Sequence, residues 1–292
     1  MQKHAMLITA YKDFDLLYDM LRIYTQEYDM DCYVHIDKKV QIEQAVIDRL
    51  RSLDNVTVIR KYRVNWGSYY HPLAFIDLMD MAAKKKYAYY HCISANTFVG
   101  RSKKEFYNFF DENSGKSFME YVYFKDTESA KDLEAWYRYY HYPFLYDKKG
   151  KRAVLWNNFE MYFVQLQAAL GIRRRVNFDY KGYLYCHLTS EVAEYVLDYI
   201  RRNRSYVKGI KYCHVGEEFF FQNIVMHSMY ADKVINDSLI YDDWSPHRER
   251  PAILDFGDYQ GFWESDKVFV RKIEDIPRSM ELFTALRDRC CS

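Results

Sequence analysis

The sequence predicts an α/β fold, a central and mostly parallel sheet flanked by helices. Short apolar runs alternate with segments of helical period through residues 1–115. Polar, aromatic and glycine residues gather just after those runs, where open parallel sheets place their ligands. The chain of 292 residues is 49% hydrophobic with only 10 Gly and 5 Pro, a composition that builds a sizeable core rather than a repeat or a disordered tail.

Ala5–Ala10 reads as the first strand, with a helix over 14–24. Asp31–Ile36 is the second strand. The segment 42–53 is helical, because Ile42, Val46, Ile47 and Leu50 share one face. Residues 56–60 form a third strand. A helix spans 72–83, with Pro72 in its first turn, where a missing amide costs nothing. The fourth strand is 87–93, and 103–110 is a short helix. The carboxyl ends of these strands lead to Thr9, Ala10 and Tyr11, to His35 and Asp37, to Trp66 and Gly67, and to Ser94, Ala95 and Asn96.

The second half is less regular. Segments 118–124 and 183–188 read as strands, and 157–170, 190–200 and 217–229 as helices. Ser190 is the expected cap of its helix. Glu217 and Glu218 open the last of these, at its positive end. Residues 148–152 (KKGKR) form a basic turn, 268–270 a strand, and a final helix starts near Arg278. Without linker or repeat, the reading is one domain over 1–292, with a sheet-based half 1–115 and an irregular half 116–292.

Lys and Arg number 42 against 41 Asp and Glu, a net charge of +1, so no nucleic-acid partner is expected. The six cysteines match neither a zinc knuckle nor a secreted disulfide scaffold, which favours a reducing, cytoplasmic setting. No secretory segment opens the chain, and no run of about 18 apolar residues offers a membrane span. The 30 Tyr suit a core, an interface or the underside of a sugar equally well.

No dinucleotide glycine turn, phosphate loop, serine elbow or Asp-x-Asp motif is present, so no metal site is expected. His35 and Asp37 sit at a strand end, where a carboxylate can accept hydrogen bonds from a base or ribose; the plainer alternative is pairing with Lys38 or Lys39. Trp66 and Gly67 follow a basic run, and the glycine allows close backbone approach; Trp66 is equally a core residue. Glu218 or Glu217, set against Phe219, Phe220 and Phe221, suits a general base raised by apolar neighbours, or a simple helix-start charge. Arg271 and Lys272 end a strand and suit a diphosphate leaving group, or a solvated pair. Trp244, Trp263 and Tyr185 can each stack on a sugar or fill the core.

In order along the chain, these segments resemble the core-2/I-branching β-1,6-N-acetylglucosaminyltransferases and the related protein xylosyltransferases. The matching stretches are His4 to Ala10, Tyr33 to Lys39, Val64 to Ser68, Tyr89 to Ser94, Lys181 to Thr189, Glu217 to Gln222, and Trp244 with Arg250, Pro251 and Val268 to Lys272. The Glu217 stretch is similar to Pro-Asp-Glu-x-Phe-Phe, and the Gly182 stretch to Gly-Ser-x-Trp-Trp-x-Leu-Thr. The resemblance implies a GT-A nucleotide-sugar-binding fold and an inverting, metal-independent transfer from a UDP-sugar to a glycan hydroxyl. It implies Glu218 as base and Arg271 and Lys272, with Arg248 or Arg250, on the diphosphate. Ala10, His35, Asp37, Trp66 and Gly67 then border the donor, and Ser94, Tyr185, Glu217 and Trp244 the substrate side. UDP-GlcNAc is the first donor expected, with UDP-xylose, UDP-glucose and UDP-galactose as alternatives, and a non-catalytic carbohydrate-binding or scaffold protein as the contrasting reading. No cofactor is required. A bacterial surface-glycan enzyme at the inner membrane face, acting on a lipid-linked acceptor, is the setting that fits; oligomeric state stays open.

The departures are specific. Ser-Gly-x-Asp appears as Ser94, Ala95, Asn96 and Thr97, so an uncharged residue stands in place of the Asp. Val99 replaces a Pro, Gly216 and Glu217 replace Pro-Asp, and Tyr185 replaces a Trp. These leave donor and acceptor identity open.

Overall fold

The computed structural model describes residues 2–146, 153–245 and 251–291. Seven strands form the central sheet in the order Val234–Ile235, Ser117–Met119, Cys186–Thr189, Tyr89–Ser94, Ala5–Ala10, Asp31–Ile36 and Val56–Ile59. Every neighbouring pair is parallel except the two that involve Cys186–Thr189. The three strands Ala5–Ala10, Asp31–Ile36 and Tyr89–Ser94 are buried along their whole length, which is why they read as apolar runs rather than alternating ones.

Register aligns the strand ends. Thr9 lies opposite His35 on one side and Ser94 on the other. Three residues at strand ends therefore form one row, with neighbours about 4.8 Å apart. Tyr70–Ala82 packs on the first two strands and Ser190–Arg202 on the antiparallel one, closing the core.

A second sheet joins Ile240–Tyr241, Phe269–Arg271 and Thr97–Val99. It folds the turn after the fourth strand back onto the C-terminal strand, with Thr97 opposite Arg271. Behind the central sheet runs a chain of buried imidazoles. His4 Nδ1 lies 2.9 Å from His91 Nε2, His91 Nδ1 lies 3.0 Å from His187 Nδ1, and His187 Nε2 lies 2.8 Å from the Ser238 carbonyl. With neutral rings the carbonyl fixes the direction: each ring donates once toward Ser238. Burial agrees, pushing His187 down to about 4 and His4 to about 3.

Four expectations change. The stretch 118–124 is not one strand: Ser117–Met119 joins the central sheet, whereas Val122–Tyr123 pairs with Tyr180–Lys181. The chain turns at Glu120, whose carbonyl sits so close to Gly182 that a Cβ there would lie 2.0 Å away. The stretch 183–188 splits likewise, and pairing begins only at Cys186, because the rings of Tyr183 and Tyr185 lie against Arg271. Thr189, not Ser190, caps the next helix, its hydroxyl accepting from Val192 N. Glu217 and Glu218 do not start a long helix. They occupy a 3-10 turn, Gly216–Glu218, ahead of the helix Phe220–Met226. The buried rings of Phe219, Phe220 and Phe221 anchor that turn.

Candidate active site

A cavity of about 1230 Å³ opens over the carboxyl ends of the parallel strands. Of the residues expected from sequence, Ala10, His35, Asp37, Trp66, Ser94, Tyr185, Glu217, Glu218, Trp244, Arg271 and Lys272 line it. Gly67 is not among the lining residues. Arg248 and Arg250, like the basic segment 148–152, fall outside the described residues; Pro251 beside them lines the cavity.

One end is built on the second strand. The Asp37 carboxylate accepts from Lys39 N at 2.8 Å and Val64 N at 3.3 Å, which ties the loop before Trp66 to the strand end. His35 Nε2 accepts from Tyr62 N at 3.0 Å and Lys61 N at 3.3 Å. An imidazole used as a double acceptor is neutral there, and burial lowers its pKa to about 4. His35 thus holds the loop and offers ring surface rather than a positive charge. Trp66 projects into solvent at the rim.

Gly67 works from behind the wall. Its N–H donates to Glu217 Oε1 at 3.1 Å, and its carbonyl accepts from Gly216 N at 2.9 Å. Its φ of +76° suits glycine, and a Cβ would sit 3.0 Å from the His214 carbonyl. The other Glu217 oxygen bonds His71 Nδ1 at 2.8 Å, and His71 Nε2 reaches Thr9 Oγ1 at 3.1 Å. Glu217 is therefore a structural hub that joins the first strand, the Trp66 loop and the 3-10 turn. Its side chain is only 9% exposed.

Glu218 has the opposite environment. Its side chain is 30% exposed, and Oε2 lies 3.0 Å from Lys181 Nζ. Burial raises its pKa above the ordinary carboxylate value, Lys181 opposes the shift, and the charge of Glu217 adds to it. Lys181 in turn lies 5.0 Å from the ring centre of Trp136, another lining residue.

The cationic end comes from the second sheet. The Arg271 guanidinium donates to the Tyr183 hydroxyl and, through Nε, to Ser94 Oγ at 3.3 Å. Its Nη1 lies 3.8 Å from Asp242 Oδ2, which also accepts from Tyr183 at 3.1 Å. Lys272 Nζ lies 2.8 Å from Glu274 Oε1, while Lys12 Nζ lies 2.6 Å from Oε2 of the same carboxylate. Glu274 thus holds two cations together, and Lys12 also lies 3.5 Å from Asp13 Oδ2. The altered turn takes part: Ser94 Oγ donates to Asn96 Oδ1 at 2.6 Å and lies 3.0 Å from Thr97 Oγ1.

The aromatic expectations divide. Trp244 is 51% exposed at the rim, its ring 6.2 Å from that of Tyr183. Tyr185 lines the cavity but is largely buried, 4.9 Å from the Tyr183 ring and 5.0 Å from the Arg271 guanidinium, so its ring packs against that cation. Trp263 packs elsewhere, 3.8 Å from the Arg289 guanidinium.

Sequence reasoning missed His71, Lys181, Tyr183, Asp242 and Lys12. Lys181 and Tyr183 stood inside a motif stretch; His71 and Asp242 carried no signal, because their partners are distant in sequence. His141, Glu160 and His214 bring potential ligand atoms within 4.8 Å of one another in the same cavity wall. Their contacts include His141 Nδ1 with Glu160 at 2.8 Å and His141 Nε2 with the Ala135 carbonyl at 3.0 Å. Both ring nitrogens of His141 are thus taken up in hydrogen bonds, which suits a brace better than a metal ligand.

The family model described as Branch: Core-2/I-Branching enzyme matches residues 5–261. The chain belongs to the Core-2/I-branching enzyme family. It is a glycosyltransferase of the GT-A-like α/β fold, in a family that inverts the anomeric centre, uses a UDP-sugar and needs no metal. The contrasting non-catalytic reading gives way to this membership. No curated protein matches the chain. Among solved structures, 4-diphosphocytidyl-2C-methyl-D-erythritol synthase from Anaerococcus prevotii is 10% identical, over 70% of this chain and 75% of that one, with a TM-score of 0.34. The apo structure of the bifunctional glycosyltransferase WbbM is also 10% identical, over 97% of this chain and 49% of its own, with a TM-score of 0.39. Neither likeness carries an argument about the site of this Core-2/I-branching enzyme.

Proposed function

We propose that this enzyme moves GlcNAc from UDP-GlcNAc to a hydroxyl of a glycan, with Glu218 as general base. The observation that supports this most is the contrast between two adjacent carboxylates. Glu217 is occupied by Gly67 and His71, whereas Glu218 is the more exposed of the two in the cavity, beside Lys181, with a raised proton affinity. Glu218 takes the proton of the acceptor hydroxyl as that oxygen attacks the anomeric carbon. The bond to the diphosphate oxygen breaks in the same step, and UDP leaves on the opposite face. Arg271 and Lys272 offset the charge that develops on the diphosphate. Ser94 and Tyr185 position Arg271. Asp37, His35, Ala10 and Trp66 border the nucleotide, and Trp244 stacks on the acceptor sugar.

A UDP-sugar hydrolysis panel tests the donor without knowledge of the acceptor. Release of UDP is expected to be fastest from UDP-GlcNAc. Faster release from UDP-glucose, UDP-galactose or UDP-xylose reassigns the donor, and failure to bind any UDP-sugar at millimolar concentration overturns the proposal.

A further inference from the structure

The helix Ala153–Ala169 carries its polarity the wrong way round. Its buried residues are Glu160 and Gln167, which share one face seven positions apart. Gln167 is clasped to Tyr140, accepting from its N–H at 2.8 Å and donating to its carbonyl at 3.1 Å. Most of the large outward residues are apolar, with Asn157, Asn158 and Gln165 exposed beside them: Val154 is 74% exposed, Leu155 64% and Tyr162 66%, and Phe159 and Leu166 are more than half exposed. Leu170 and Ile172 continue the same apolar surface past the helix end. A surface helix of a water-facing wall has the reverse pattern, and scattered single apolar residues are ordinary where a row of this kind is not.

Charge indicates what covers the row. Within the 17 residues of the helix, Glu160 is the sole charged side chain, and it points inward. The helix is preceded by Lys148, Lys149, Lys151 and Arg152 and followed by Arg173 and Arg175, the last two exposed. Exposed cations beside an apolar row suit an anionic lipid surface, with the apolar side chains among the acyl chains and Arg173 and Arg175 at the headgroups. No helix among the described residues is long and apolar enough to cross a membrane, so such a segment would lie in the plane of the interface. At roughly 1.5 Å per residue the helix is about 25 Å long, ample for an in-plane anchor. The same helix also lines the active-site cavity through Asn157, Met161, Val164 and Gln165.

We propose that helix 153–169 seats the enzyme on an anionic phospholipid surface, with the cavity wall it forms turned toward an acceptor carried there. The anchoring itself is independent of donor identity; only the placement of the acceptor rests on the function proposed above. Sedimentation of the full chain with vesicles tests it. Phosphatidylcholine mixed with phosphatidylglycerol is expected to pull the protein down at low salt, and phosphatidylcholine alone far less. Phe159→Glu with Leu166→Glu should weaken binding by about tenfold or more per side chain, and Arg173→Gln with Arg175→Gln by about fivefold per charge. UDP-sugar hydrolysis without lipid should be unchanged in all of them. Equal sedimentation of parent and Glu variants overturns the proposal, as does failure of the parent to bind anionic vesicles. A dimer that the Glu variants split, in a protein blind to vesicles, would assign the same face to a second copy instead.

Discussion

Thr97 stands directly across an antiparallel ladder from Arg271, and its hydroxyl lies 3.0 Å from the Ser94 oxygen to which that arginine donates. The family's usual Asp at this position would set a carboxylate beside the guanidinium. Here the charge on Arg271 meets Asp242 and the Tyr183 hydroxyl instead. Thr97→Asp is expected to draw Arg271 into a buried ion pair and weaken UDP affinity about tenfold or more, by calorimetry. Thr97→Val should leave UDP affinity near that of the parent and cost about 1 kcal/mol of stability for the lost hydroxyl bond. Equal UDP affinity in the parent and both variants would separate Arg271 from the diphosphate.

Glu218→Gln should reduce turnover by about 10²–10⁴-fold with UDP affinity unchanged, the range for a lost general base. Glu217→Gln should act on stability, because it weakens charge-assisted bonds from Gly67 and His71 worth about 1.5–3 kcal/mol each. Thermal unfolding beside turnover separates the two; a stable but dead Glu217→Gln with an active Glu218→Gln would exchange their roles.

The acid limb of the pH–rate profile should lie above 4.5, the ordinary glutamate value, because burial disfavours the Glu218 carboxylate. The base form is present above its pKa and lost as pH falls through it. Lys181→Met removes the cation that opposes this shift, so the limb should move further up. A downward movement would contradict the assignment.

Lys272→Ala and Arg271→Ala should each lower UDP affinity and turnover, and EDTA should leave the parent rate unchanged. Loss of activity in EDTA that only Mn²⁺ restores would mean a metal carries the leaving-group charge.

Gly67→Ala should cost about 1–2 kcal/mol in thermal unfolding, since its positive φ disfavours any Cβ and the His214 carbonyl already crowds that space. The loss should reach turnover as well, through the displaced Trp66 loop and 3-10 turn.

The parallel strands were legible because burial on both faces leaves an uninterrupted apolar signature in Ala5–Ala10 and Asp31–Ile36. The strands Val122–Tyr123, Val234–Ile235 and Ile240–Tyr241 hold two residues each, too few for any periodic pattern to register. The helix Ala130–Arg138 was hidden by the aromatics that crowd its end and the stretch after it, Trp136, Tyr137, Tyr139, Tyr140 and Tyr142, which signal burial without period. The helix over 153–169 was legible, but its orientation was not: periodicity reports that one face is apolar, not which face meets the protein.

Local pattern in the chain carries the chemical inventory and the order of motifs: a carboxylate pair before three phenylalanines, two cations after a strand, and polar residues at strand ends. Each of these is complete within a few neighbouring residues, so the sequence suffices to reveal it. Which carboxylate is the more exposed, beside Lys181, and which is a hub follows from the folded arrangement alone. That choice depends on Gly67, His71 and Lys181, brought to the Glu217 and Glu218 turn from other parts of the chain by the packing of sheet and helix. Adjacent residues of identical chemistry differ only in what surrounds them, and at Glu218 burial raises the proton affinity of the carboxylate.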